Sequence, residues 1–155
     1  MCESLPDESK REERDSLVVD IHFCLGAIAA ETNDLERSDY YKKSALDKQT
    51  AVSQRLDTLD VRLTRSQSEY AIALIVKEEY DAAIELFRLS IKTDKTLGAY
   101  PYNWTAEINL GLAYILKGDF RMADEVLVAA QARREEMYGS MDTMSSGFVT
   151  SPHFT

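Results

Sequence analysis

His22 and Cys24 are the first residues whose types suggest chemistry. An imidazole and a thiolate can share a zinc ion or act as base and nucleophile. Two positions apart on a helix, however, they project about 200° from each other and cannot close on one ion from one face. The other histidine, His153, lies in a Ser/Thr-rich stretch near the C-terminus. Glu12-Glu13, Glu78-Glu79 and Glu135-Glu136 are candidate acid/base pairs, yet adjacent helical residues diverge by about 100° and do not flank one reacting bond. The sequence contains no Gly-rich phosphate loop, no HExxH and no GxSxG. We therefore expect no catalytic residue, no metal and no cofactor. Asn103-Trp104-Thr105 matches the glycosylation pattern by chance in a chain whose N-terminus has no apolar leader.

Eighteen Lys plus Arg against twenty-seven Asp plus Glu give the 155 residues a net charge of −9. That field repels nucleic-acid phosphates and anionic lipid, so neither nucleic acid nor membrane is an expected partner. Ile21 to Ala30, an apolar run without Asp, Glu, Lys or Arg, is about half of the roughly 20 residues a membrane span needs. Two cysteines make no disulfide framework, and a reducing, cytoplasmic setting is expected. Only six Gly and three Pro favour long helices over many strands.

The elements that must position any site come from an internal repeat. From Leu110-Gly111 through Ala113-Tyr114, Gly118, Phe120, Ala123, Leu127 and Ala130, small and apolar residues recur at spacings of three and four around a break at Gly118-Asp119. Forty residues upstream the pattern returns as Tyr70-Ala71, Ala73-Leu74, Glu78, Tyr80, Ala83, Phe87 and Ser90. A weaker copy runs from Leu25-Gly26 and Ile28-Ala29 past Thr32-Asn33-Asp34 to Leu35, Arg37 or Ser38, Tyr41 and Ser44. Small residues at Gly26, Ala71 and Gly111 let paired helices approach, with Ala83 and Ala123 at the second crossing and Tyr41, Phe87 and Leu127 as fillers. The pattern predicts helices over 16–31, 35–53, 61–77, 80–96, 103–117 and 120–137, and an all-α fold of antiparallel helix pairs.

These residues resemble the tetratricopeptide repeat, whose Leu-Gly, Tyr, Gly-x-Tyr, Ala, Phe and Ala pattern is met almost in full by Leu110 to Ala130. The long spacing is similar to the repeats of kinesin light chains and of arrays attached to signalling NTPases. The resemblance covers roughly 16–137, with Ala29 standing where a large Tyr is usual. It implies a right-handed solenoid of about three units, with residues 1–15 as an acidic N-terminal segment and 138–155 as a disordered tail. Met1 to Leu5 resembles the end of a missing helix, so a fragment with uncovered end faces is expected, including a stripe of Val126, Val128 and Met137 open to self-association.

The family's groove positions, carried onto this sequence, are Asp20, Phe23, Cys24 and Ala27, then Arg65, Ser68, Glu69 and Ile72, then Thr105, Ile108, Asn109 and Leu112. The implied function is a non-enzymatic scaffold holding a protein or peptide partner in a concave groove. The alternative is a regulatory sensor segment of a larger signalling NTPase, and a lesser one a small-molecule pocket walled by Trp104. Phe23, Ala27 and Glu69 depart from the Lys and Asn of arrays that clamp a carboxylate tail. Asn109 fits either an amide that binds a peptide backbone or a solvated helix residue. Asp34, Glu36 and Asp39 with Lys42 and Lys43 read as surface pairing.

Overall fold

The computed structural model describes the backbone of residues 4–98 and 104–149, and the side chains of 7–98 and 104–139. Among the described residues there are six helices and no strand: α1 Ser4–Glu31, α2 Leu35–Leu56, α3 Val61–Val76, α4 Tyr80–Leu97, α5 Thr105–Lys117 and α6 Phe120–Val149. Each helix packs on the one before and the one after, and α3 also touches α5.

Three turns make the pairs, and their backbone bonding is the same. Asp34 N–H donates to Ala29 O at 2.8 Å, Glu79 N–H to Leu74 O at 2.9 Å and Asp119 N–H to Tyr114 O at 2.9 Å. One residue earlier, Asn33, Glu78 and Gly118 donate to Ala30, Ile75 and Ile115. This double closure of a helix end requires a left-handed residue. It is found at Asn33 (φ 59°), Glu78 (φ 62°) and Gly118 (φ 89°). The register across the three pairs therefore runs Asn33, Glu78, Gly118, which places Ser38, not Arg37, opposite Ala83 and Ala123. Ser38 is buried and its Oγ donates to Gly26 O at 3.1 Å.

The same register overturns one assignment. Tyr41 was expected to fill the place of Phe87 and Leu127, but Lys42 stands there, buried, while Tyr41 is half-buried beside His22. A Cβ on Gly26 would meet Lys42 Cγ at 3.1 Å, as one on Gly111 would meet Leu127 Cδ2 at 2.5 Å. The aliphatic stem of Lys42 does the filling and only its head is polar.

The main core joins α3 to α6 and includes Ala71, Leu74, Ala83, Phe87, Leu110 and Tyr114. A smaller cluster of Val19, Phe23 and Ala45 holds α1 to α2. Polar groups are buried as well: Ser90 Oγ of α4 donates to Thr64 O of α3 at 3.1 Å, and Gln49, Gln67 and Asp94 are buried.

Both terminal expectations change. The stretch expected as a separate acidic N-terminal segment is, over residues 4–15, the beginning of α1. Pro6 sits in the first turn, where its missing N–H costs nothing, and Asp7/Arg11 and Arg11/Asp15 are opposite charges at helical spacing. At the other end α6 continues to Val149, through much of the stretch read as tail, since no proline interrupts it before Pro152. Residues 150–155, including His153, and the connection at 99–103, including Pro101 and Asn103, lie outside the described residues. No described helix is long and apolar enough to cross a membrane.

Candidate functional site

The first helices of the three pairs meet through a few contacts. Arg62 of α3 donates to Ser16 Oγ of α1, the Arg65 guanidinium lies 4.7 Å from the centre of the Phe23 ring, and α3 touches α5. Asp20, Cys24 and Ala27 of α1, Arg65 of α3, and Thr105 and Leu112 of α5 are exposed. Asn109 and Ile72 are half-buried, Ile72 packing against the main core.

Four residues expected in the groove do other work. Phe23 is buried with Val19 and Ala45 and offers its ring to Arg65 rather than to a ligand. Ser68 Oγ is 2.9 Å from Ser90 Oγ, which turns it toward α4. Glu69 Oε2 is 3.3 Å from Lys42 Nζ, with the lysine side chain 9% exposed and the glutamate 38%. Lys42 is thus not one of a set of surface pairs. Its head would be unpaired in a buried position without the α3 carboxylate. Ile108 lines a depression of about 410 Å³ with Trp104, Leu127, Ala130, Gln131 and Arg134, on the outer side of the α5–α6 pair. Of the expected stripe, Val128 is exposed, Met137 is half-buried and Val126 packs on the main core.

Sequence reasoning missed Lys42, because a lysine reads as solvent-facing, and it missed Arg134 and Gln131 for the same reason. The signal available was the register itself, which sets Lys42 beside Phe87 and Arg134 beside Gln49 and Asp94. Trp104 is the residue expected to wall a small-molecule pocket. It sits just before α5, half-buried, with its ring edge-to-face on Tyr138 at 5.7 Å.

Charged groups elsewhere tie helices together. Arg55 holds Asp15 at 2.9 Å and keeps its carboxyl below the usual carboxylate range. Lys77 bridges Glu79 at 3.2 Å and Asp39 at 3.4 Å, and the bond to Glu79 is the main cause of its raised pKa. Arg133 pairs with the buried Glu107. Burial pushes the His22 imidazole below its ordinary range, and Lys48 adds to the effect. Its Nδ1 is buried with no hydrogen-bond partner. Among the described residues no three His, Cys, Asp or Glu side chains converge as a metal site would require.

No family model matches the chain, and no curated protein matches it.

Proposed function

We propose that the protein is a non-enzymatic scaffold of the tetratricopeptide type, a right-handed solenoid that holds a segment of a partner protein in a concave groove lined by α1, α3 and α5. The observation that supports the reading is one of exposure: Asp20, Ala27, Arg65, Thr105 and Leu112 of the first helices are accessible while the crossing residues Ala71, Ala83 and Ala113 are buried. A row of first helices gives an extended partner several apolar and polar contacts in sequence. Asn109 supplies an amide that donates and accepts at once, and Arg65 supplies a charge held in place by Phe23. The setting proposed is cytoplasmic, with neither nucleic acid nor membrane as partner.

The test is affinity capture from the source cells with wild type and an Arg65→Glu, Asn109→Ala double variant. A partner retained by wild type and lost by the double variant supports the reading. Identical capture by the two sets the groove aside.

A further inference from the structure

Each helix pair offers a seat to the first helix that follows it. On the first pair that seat is built from Phe23, Lys42, Ala45 and Gln49, and α3 fills it: Arg65 lies over Phe23, Glu69 pairs with Lys42, and Gln49 Nε2 is 3.2 Å from both carboxylate oxygens of Asp60. On the second pair the same register positions are Ser68, Phe87, Ser90 and Asp94, and α5 covers them through Ala106, Leu110 and Ala113. On the third pair they are Ile108, Leu127, Ala130 and Arg134, which line the open depression of about 410 Å³.

The other end of the chain carries the matching surface. In register with Ala106, Leu110 and Ala113, which are 1%, 5% and 0% exposed, α1 has Ile21, Leu25 and Ile28, with Ile21 46% and Ile28 60% exposed. These lie at i, i+4 and i+7 on one helical stripe, which Leu17 extends at 59% exposed. We propose that the seat on α5 and α6 receives α1 of a second copy of this chain, so that molecules stack head to tail in the geometry of the internal α4–α5 joint. The occupant follows from the molecule itself, because the two faces are the halves of a joint it already makes twice internally. Charge is compatible: Arg134 holds the register position of Gln49, and Asp15, bonded to Arg55 within its own chain, holds that of Asp60, so its carboxylate takes Arg134 of the next copy as a second partner. Ile21 and Ile28 are larger than the Ala and Ser of the internal joints, and the open depression supplies the room. The contact joins two different surfaces, so each pair of copies keeps one seat and one α1 face free to take further copies.

Sedimentation of the full chain over a hundredfold concentration range, with two blocked variants, tests the inference. Wild type is expected to grow from monomer through dimer to longer species. Ile28→Glu blocks α1 and Ile108→Glu blocks the seat. Each alone should remain monomeric, and an equimolar mixture should give a one-to-one dimer and nothing larger. Both residues are exposed, so circular dichroism should report unchanged folds. Ile21→Glu with Arg134→Glu, the latter in the seat lining, repeats the experiment should either variant misfold. A wild type that is monomeric throughout, blocked variants that assemble as wild type does, or a mixture that stays monomeric would each overturn the head-to-tail joint.

Discussion

Lys42 of α2 buries its stem against Gly26 and sets its ammonium 3.3 Å from Glu69 of α3. This ion pair joins Gln49–Asp60 and Arg65–Phe23 in holding the first and second helix pairs together. The lysine is the less exposed partner, so removing the carboxylate strands a charge, whereas replacing the lysine with an apolar residue of similar length strands only a half-exposed carboxylate that water can reach. Glu69→Ala should cost about 1 to 3 kcal/mol, below the loss for a fully buried pair, while Lys42→Met should be neutral or stabilising. Urea melts of both variants and of the double variant check this, and additive effects would separate the two residues.

Glu78 adopts φ 62° at the turn where the third pair uses Gly118. A side chain in the left-handed region is strained by roughly 1 to 2 kcal/mol, part of which glycine returns through the larger entropy of its unfolded chain. Glu78→Gly is therefore expected to stabilise the protein by about 0.5 to 1 kcal/mol, and Gly118→Ala to destabilise it by a similar amount. A thermal melt in which both substitutions shift in the same direction would contradict the shared turn geometry.

The helix crossings are tight and their tolerance is testable. Ala123 is 3% exposed in the main core, and Ala123→Leu should overpack it at a cost of about 1 to 3 kcal/mol. Phe87 is fully buried, and Phe87→Ala should cost about 3 to 5 kcal/mol. Gly111→Ala drives a methyl into Leu127 and should also destabilise, while Gly139→Ala, with nothing within 4 Å, should not. Denaturation midpoints rank the four.

The buried Nδ1 of His22 gives the fold a pH dependence. Its pKa in the folded chain lies below the unfolded value of about 6.5, so the unfolded chain binds more protons and stability rises with pH. The contribution is present above about pH 6.5 and is lost as pH falls toward the folded value. His22→Gln should flatten the slope of Tm between about pH 7 and pH 5. The flattening should be partial in size, since the ring edge on Tyr41 is only half-buried and water moderates the penalty. An unchanged slope would assign the pH response to other groups.

The helix pairs were legible because their punctuation is local: Gly118-Asp119, Asn33-Asp34 and the Asp60 cap announce themselves within a few residues. The beginning of α1 was not, since Pro6 and a dense run of charge look like a linker when their helical spacing is not counted. Register also anticipates exposure along the first helices, and Asp20, Ala27, Arg65, Thr105 and Leu112 are exposed. Ser68 and Glu69 were misplaced because their orientation depends on Ser90 and Lys42, residues on other helices that no local pattern reveals. Lys42 itself was hidden by its charge, which describes its tip and not the stem that packs.

The claim that a partner lies across the first helices has one direct measurement. A photo-reactive side chain replaces Arg65 of α3 or Thr105 of α5, or the exposed Leu89 on α4, and crosslinked partners are identified after irradiation in the source cells. The scaffold reading predicts a common crosslinked partner from Arg65 and Thr105 and none from Leu89. A partner captured from Leu89 but from neither Arg65 nor Thr105 would contradict it.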